Sequence, residues 1–355
     1  MKCCVNCFKD SEIIGIVSGV KTEGDCDFCG STNVAICNLD YPELKNNFER
    51  LLDVYAPVSE FKGEIPRHKT DMIKNILSRD WSIFNLEPEK IDRFLMELLQ
   101  EQYQANPELF DGPVLLKGTN QEDYLKQFSI LGVHTWEDFT TEIKTKNRFH
   151  TEIINKDLLR RIVNFCNDTY QEGQVFYRAR IMTAGENFTK EEMGPPPPGK
   201  ASAGRANPEG ISCLYLSDSR DTTLHETRSG MHDAVTVGTF ILRNDIEVVD
   251  LTAIDKISPF LMQDIDLIAA NIDHLRKIGN EISKPLRRHE STLNYLPTQF
   301  ISDYIKSIGL AGIKYESTMR NNGINLAIFD ENLFECTEVE NYNISAISYS
   351  FKTFK

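Results

Sequence analysis

Apolar residues recur three and four positions apart through much of residues 40–172, and this spacing predicts a helical region. The repeat is typical of helices that pack one face into a core. The clearest stripes lie at residues 44–55, 72–77 and 91–99. Residues 136–143 and 158–170 predict two further helices. Asp71 is expected in a first helical turn, and Pro88 marks another helix start.

From residue 175 onward the pattern changes to short apolar runs separated by loops, which predict strands. These runs cover residues 175–177, 211–216, 235–242, 246–251, 312–315 and 325–329. Helical segments are expected between them, at residues 259–278 and 299–308. A helical region followed by strands and helices in alternation predicts an α+β fold, with a linker near residues 171–174.

The first 38 residues differ from both regions, because they are rich in cysteine and carry only short alternating apolar segments, at residues 13–17 and 34–36. Four parts are therefore expected along the chain. They are a cysteine-rich segment at 1–38, a helical domain at 39–172, a mixed α/β domain at 173–340 and a tail at 341–355.

Composition narrows the class of protein. The chain has 355 residues and a formal net charge of -14, with 41% hydrophobic and 10% aromatic residues, which is typical of a folded protein of two or three domains. No apolar run reaches the ~20 residues of a membrane span, and Met-Lys-Cys-Cys-Val-Asn-Cys at the N-terminus is no signal peptide. We therefore expect a cytoplasmic protein. The negative charge argues against broad nucleic-acid binding.

Five of the nine cysteines lie in the first 29 residues, where they form two CxxC pairs. Cys4 and Cys7 make one pair and Cys26 and Cys29 the other. Zinc binds four thiolates tetrahedrally, and four protein ligands leave no position open for water. The spacing therefore predicts a zinc ribbon or knuckle at residues 1–38 with a structural zinc site. Two alternatives stay open: Cys3 or Cys37 could replace a ligand, or the cysteines could be buried or redox-active without a metal.

Charged and polar residues cluster in short motifs through the second half of the chain. Arg178 follows an apolar run, Arg205 and Asn207 lie in a Gly-rich loop, and Tyr215 belongs to the next strand. Further motifs include Lys284-Pro285 and the pair Tyr295 and Gln299. The motifs, in order, read Val175-Phe-Tyr-Arg-Ala-Arg180, Gly204-Arg-Ala-Asn-Pro-Glu-Gly210, Leu214-Tyr-Leu216, Leu224-His-Glu-Thr-Arg228, Tyr315-Glu-Ser317 and Gly323-Ile-Asn-Leu-Ala-Ile-Phe-Asp330.

In this order the motifs resemble the RES family, which is named for an Arg, a Glu and a Ser. Arg178, Glu226 and Ser317 match that signature. Characterised RES proteins degrade NAD by hydrolysis or phosphorolysis, and many are toxins of toxin–antitoxin pairs with a fold similar to ADP-ribosyltransferases. The N-terminal Cys-Phe-Lys-Asp and Gly-Asp-Cys-Asp-Phe-Cys-Gly segments resemble the HEPN/RES N-terminal domain.

The resemblance implies a role for each matched residue. Glu226 would stabilise the cation that forms at the ribose when nicotinamide leaves. Arg178 would hold the pyrophosphate, with Arg180 two residues on as the alternative. Ser317 would hydrogen-bond the substrate, with Thr318 as its alternative. The residues expected to bind substrate are Arg205, Asn207, Tyr215 and Asn325. The family often has an aromatic residue where this chain has Ala206.

The sequence thus predicts an NAD glycohydrolase or NAD phosphorylase, with inorganic phosphate as co-substrate in the second case. Because no GxGxxG motif follows a strand, NAD is expected as substrate and not as redox cofactor. Two other readings stay open: an ADP-ribosyltransferase that modifies a protein or nucleic acid, and a zinc-dependent adaptor without activity. An antitoxin or regulatory protein is an expected partner. An active HEPN ribonuclease is not expected, because residues 40–172 lack its Arg-x4–6-His spacing.

Overall fold

A computed structural model describes residues 1–62, 65, 69–182, 187–261, 264–284 and 290–348. The chain divides into two compact units. The first contains residues 1–134, 153–162 and 253–274, and the second contains residues 135–152, 163–252 and 275–355. Pro285 and residues 349–355 of the expected tail lie outside the described residues. Within the described part of the chain, none of the helices has the length and apolarity to cross a membrane.

Helices and strands both occur along the chain, which confirms the α+β prediction. The helices are α1 Ser11–Gly19, α2 Pro42–Leu52, α3 Ile73–Arg79, α4 Pro88–Leu98, α5 Gln100–Ala105, α6 Glu108–Asp111, α7 Glu122–Phe128, α8 Trp136–Thr145, α9 Lys156–Phe165, α10 Arg220–Glu226, α11 Ile265–Ala269, α12 Ile272–Ser283 and α13 Leu296–Ser307. The strands are β1 Lys2–Cys4, β2 Thr22–Gly24, β3 Val34–Asn38, β4 Tyr55–Pro57, β5 Asp71–Met72, β6 Pro113–Leu116, β7 Asn167–Tyr170, β8 Val175–Ile181, β9 Leu214–Ser217, β10 Ala234–Leu242, β11 Ile246–Asp250, β12 Gly312–Glu316, β13 Ile324–Ile328 and β14 Phe334–Asn343.

The first unit contains two small antiparallel sheets, β1-β3-β2 and β4-β6-β5. The apolar faces of α2 and α4 are buried, as their stripes predict. Phe94 of α4 is the centre of an aromatic cluster. Its ring centroid lies 5.4 Å from that of Phe48 and 5.5 Å from those of Phe8, Phe28 and Phe84.

The second unit is built on one mixed sheet of eight strands, in the order β14-β10-β8-β9-β13-β12-β11-β7. Every neighbouring pair is antiparallel except β11 and β12. Apolar residues of β8, β9, β10 and β13 form its core, among them Phe176, Leu216, Phe240 and Leu326. The neighbouring strands β8 and β9 pair at one position only, Tyr177 opposite Ser217.

Several predicted elements differ from the structure. Residues 13–17 lie in helix α1, which begins at the N-cap Asp10; its carboxylate accepts from the amides of Glu12 and Ile13. Asp71 lies in β5, before α3, and bonds the side chains of Asn75 and Arg79. The predicted strand at 211–216 begins only at Leu214.

Two further differences concern the sheet. Residues 167–170, expected in a helix, form the edge strand β7, which pairs with β11. A further strand, β14, follows the last predicted strand. It was not predicted, because its sequence, FECTEVENYN, is mostly polar. Nine of the ten residues of β14 pair with β10, with a bulge at Thr239/Phe240.

Candidate functional site

A cavity of about 320 Å³ opens beside the point where β8 and β9 pair. Five predicted residues line it: Arg178, Arg205, Tyr215, Glu226 and Asn325. The other two, Asn207 and Ser317, stand behind its wall and bond Tyr215 and Glu226 respectively. Residues far apart in the sequence therefore meet at one place in the sheet.

Glu226 is fixed by two hydrogen-bond donors on the same oxygen. Its Oε1 accepts from Ser317 Oγ at 2.6 Å and from Asn325 Nδ2 at 2.8 Å. Glu226 ends α10, a helix whose N-cap Ser219 accepts from the amide of Thr222. Its Oε2 lies 3.9 Å from the guanidinium of Arg205. Oε1 is thus engaged in hydrogen bonds within the protein, whereas Oε2 faces the guanidinium of Arg205.

The hydroxyl of Ser317 is held by Glu226 and by two backbone amides. Its hydroxyl donates to Glu226 and accepts from the amides of Met319 and Arg320 at 3.2 Å each. In this arrangement Ser317 acts on the carboxylate of Glu226. Thr318, the alternative, bonds the carbonyl of Ser283 instead.

Ser217 was not expected at the site, and it orients Asn325. Its buried hydroxyl donates to Asn325 Oδ1 at 2.8 Å, which leaves the amide Nδ2 to face Glu226. The two residues lie opposite each other in the β9–β13 ladder. In the sequence, Ser217 stands out only as a polar residue at the end of an apolar strand. Polar residues are common at strand ends whether or not they belong to a functional site.

Arg178 occupies the gap between β8 and β9. Its guanidinium donates to the carbonyl of Tyr215 at 3.2 Å, and its buried Nε is without a partner among the described residues. Burial, and then the neighbouring charge of Arg180, lower the pKa of Arg178 to about 10. The same gap leaves the amide of Ala179 to donate to Thr223 Oγ1 of α10, so the helix is tied to the strand beside the cavity.

Arg180 points elsewhere. Its guanidinium stacks over the ring of Phe188, 4.4 Å from the centroid, and donates to the carbonyl of Glu192. It does not line the cavity.

Arg205 is held by backbone and by aromatic contact. It donates to the carbonyls of Ile282 and Ser283 at the end of α12, and its guanidinium lies 5.5 Å from the ring centroid of Tyr315. Burial opposes its charge, but Tyr315 and Glu226 outweigh burial and raise its pKa. The cation therefore persists in the wall of the cavity.

The loop around Arg205 is anchored by Asn207. The Asn207 amide donates to the carbonyls of Ser202, Pro208 and Ile211, and its Oδ1 accepts from the hydroxyl of Tyr215 at 2.7 Å. Gly204 must be glycine here, since a Cβ would come within 2.4 Å of Asn207 Oδ1 and 2.6 Å of Tyr215 Oη. Gln299 and Thr298 of α13 fasten the same loop by donating to the carbonyls of Gly204, Asn207 and Arg205.

In the first unit, the four predicted cysteines Cys4, Cys7, Cys26 and Cys29 form one cluster. Their sulfur atoms all lie within 4.8 Å of one another, and Cys4–Cys29 and Cys7–Cys26 are 3.4 Å apart. A tetrahedral zinc site spaces its sulfurs by about 3.8 Å. The amides of Phe28 and Cys29 point at Cys26 Sγ at 3.4 and 3.5 Å, the kind of outer contact that stabilises a thiolate ligand. The cluster fits a metal ion.

Cys3 and Cys37 do not belong to that cluster. They face each other across the β1–β3 ladder and are buried. Burial raises the pKa of both thiols, and that of Cys37 reaches about 11.

Comparison with known proteins finds a matching family model and a similar solved structure. The family model of the RES domain matches residues 175–351. Among solved structures, the crystal structure of the M. tuberculosis MbcT–MbcA toxin–antitoxin complex is similar to this chain, with 14% identity and a TM-score of 0.31. The similarity covers 53% of this chain and 93% of that chain. No curated protein matches this sequence.

Proposed function

We propose that the protein is an NAD-consuming enzyme that cleaves the bond between nicotinamide and ribose, because the family model of the RES domain matches residues 175–351. The observation that carries the proposal is the carboxylate of Glu226. One of its oxygens is fixed by Ser317 and Asn325, while the other is turned to the cavity that Arg178 and Arg205 also line.

Cleavage needs charge stabilisation more than it needs a strong nucleophile. When the C1′–N bond breaks, its electron pair leaves with nicotinamide, and the ribose becomes an oxocarbenium-like cation. A preorganised carboxylate beside C1′ stabilises that charge. Two donors on Oε1 keep Glu226 in one orientation, so that Oε2 can face the ribose.

The substrate's pyrophosphate would meet arginine. The Nε of Arg178 is buried and has no partner among the described residues, and a charged donor in that state favours an anionic ligand. Arg205, already beside Glu226, would shift toward a phosphate or ribose oxygen. Tyr215 would offer its ring, because its hydroxyl is engaged by Asn207 and the amide of Ala206.

Water and phosphate are the two acceptors for the cation. Attack by water releases ADP-ribose and one proton, and attack by phosphate gives ADP-ribose 1″-phosphate. The experiment is incubation of the protein with NAD, with and without phosphate, with chromatography of the products. We expect NAD loss that falls at least about a hundredfold in Glu226→Gln. Turnover that persists in this variant contradicts the proposed role.

The matched control is His225→Gln, on the neighbouring residue. The side chain of His225 is 51% exposed and lies 3.6 Å from Asp221, outside the cavity lining. Its activity should stay near that of the parent protein. Label that appears on a protein or nucleic acid instead of on a small product would favour an ADP-ribosyltransferase.

We further propose that the protein is a toxin with an antitoxin or regulatory partner, because many RES proteins are toxins of such pairs. Expression of the intact chain should then deplete cellular NAD and arrest growth, whereas expression of Glu226→Gln at equal level should not. Growth arrest by both forms would separate toxicity from NAD cleavage.

We also propose that Cys4, Cys7, Cys26 and Cys29 bind a structural zinc ion. The fit of the four sulfurs supports this site. Four thiolates would complete the coordination of zinc, so the ion would stabilise the fold and take no part in the reaction.

A further inference from the structure

A second cavity, of about 310 Å³, adjoins the first, and Tyr295 lines both. Its walls come from α8, from the C-terminal end of α12 and from residues between 290 and 298. Helix α8 covers Trp136–Thr145, so it precedes residue 175, where the RES match begins. The second cavity therefore combines the RES domain with a helix from earlier in the same chain.

Each of the two cavities is lined by a residue with a buried polar atom that lacks a hydrogen-bond partner among the described residues. Among the described residues, four buried side-chain atoms lack a hydrogen-bond partner: Gln102 Oε1, Thr140 Oγ1, Arg178 Nε and Thr239 Oγ1. Arg178 lines the first cavity, and Thr140 lines the second. A buried polar atom without a partner is destabilising, so its presence in a cavity wall suggests that a ligand supplies the partner.

A positioned cation lies on the same face of α8. Lys144 follows Thr140 by four residues, one helical turn, and its Nζ donates to Asn294 Oδ1 at 2.8 Å. The amide oxygen is neutral, so this bond places the ammonium group without cancelling its charge. Lys277, which lines the cavity from α12, differs, since its Nζ lies 3.6 Å from Glu281.

We infer that the second cavity binds the adenylate half of the dinucleotide, while the first binds the nicotinamide riboside half. This inference rests on the proposed function. The two halves of NAD are of similar size, as are the two cavities. The adenylate phosphate would pair with Lys144, and the hydroxyl of Thr140 would donate to a phosphate or ribose oxygen. Helix α8 would thus set the preference for a dinucleotide over a mononucleotide.

The test compares NAD with nicotinamide mononucleotide, which has the same scissile bond and lacks the adenylate half. Lys144→Ala should raise KM for NAD by about tenfold relative to KM for the mononucleotide, which is the effect of losing one hydrogen bond to a charged group. Lys146→Ala is the matched control, because this side chain is 68% exposed and lies beside Glu142 outside the cavity. Equal changes for the two substrates would overturn the inference.

Calorimetric titration with AMP tests binding apart from catalysis. AMP should bind the parent protein and Lys146→Ala alike, and bind Lys144→Ala about tenfold more weakly. Asn294→Asp keeps the lysine and neutralises it, and should weaken AMP as well. If neither NAD nor nicotinamide mononucleotide is cleaved but AMP binding follows this pattern, the proposed function is wrong, whereas the assignment of the second cavity as an adenylate site is supported. If AMP binds all variants equally or does not bind the parent, the second cavity is not an adenylate site.

Discussion

The guanidinium of Arg178 lies where the β8–β9 ladder is interrupted, so a charge occupies a place that backbone hydrogen bonds would otherwise fill. Sequence spacing alone could not separate Arg178 from Arg180, since both lie on the same face of β8. The structure separates them through Phe188 and Glu192, which engage Arg180. Long-range contacts of this kind have no local signature in the sequence.

The buried charge of Arg178 carries a cost that depends on pH. Its pKa is about 10 in the folded chain, well below that of an unperturbed arginine. Below pH 10 both states carry the charge, so the folded state bears the full cost. As the pH rises through 10, the folded chain releases its proton first and the cost shrinks.

Replacement of Arg178 by methionine should therefore stabilise the fold by about 1 kcal/mol near neutral pH, since a buried unpaired charge is replaced by an apolar side chain of similar length. The gain should be constant below about pH 9 and smaller at about pH 10.5. Chemical denaturation at several pH values measures it. A loss of stability at pH 7 would show that the bond to the Tyr215 carbonyl outweighs the burial of charge.

At the scale of elements, three strands of the sheet are joined by an ion cluster around Lys314. From β12 its Nζ contacts Asp250 of β11 at 2.7 Å and Asp168 of β7 at 2.8 Å. Pairing with β11 and this contact explain why residues 167–170 form a strand although the preceding helical pattern runs into them.

Removal of one partner should leave an uncompensated charge. Lys314→Ala should destabilise the chain by about 3 kcal/mol, because two carboxylates would then face each other without a cation. Asp250→Asn should cost more than Asp168→Asn, because the side chain of Asp250 is 10% exposed and that of Asp168 is 38% exposed. Thermal melts of the three variants test the order, and equal costs for both aspartates would contradict it.

Elements with strong apolar periodicity were predictable, and elements held by pairing partners were not. The buried positions of α4 recur at helical spacing, and β10 is mostly buried along its length, so both elements are visible in the sequence. By contrast, residues 13–17 were too short to distinguish helix from strand, and the N-cap Asp10 decides the outcome. Strand β14 has one buried residue, Phe334, so its membership in the sheet comes from β10.

At the scale of the whole molecule, the cysteine cluster belongs to the core of the first unit. Phe8 follows Cys7, Phe28 lies between Cys26 and Cys29, and both rings contact Phe94. The CxxC spacing predicted the cluster, but it could not predict that the aromatic side chains beside the cysteines form part of a larger core.

Removal of the proposed zinc ion should therefore unfold the first unit as a whole. We expect one zinc per chain by elemental analysis, and we expect a chelator or Cys26→Ser to lower the Tm of that unit by at least about 10 °C, since structural zinc contributes several kcal/mol to folding. Calorimetry with and without chelator measures the shift. A metal-free protein with an unchanged melt would show that the four thiols are buried without an ion. Cys336→Ser, outside the cluster, is the control.

The partners of Glu226 come late in the chain. Ser317 and Asn325 follow it by some ninety to one hundred positions, and β13, which carries Asn325, is a central strand between β9 and β12. While the chain is being synthesised, neither the sheet nor the oriented carboxylate can exist until β13 has left the ribosome. Under the proposed function, the nascent chain would therefore be inactive through most of its translation, and the proposed antitoxin or regulatory partner would have that interval in which to bind.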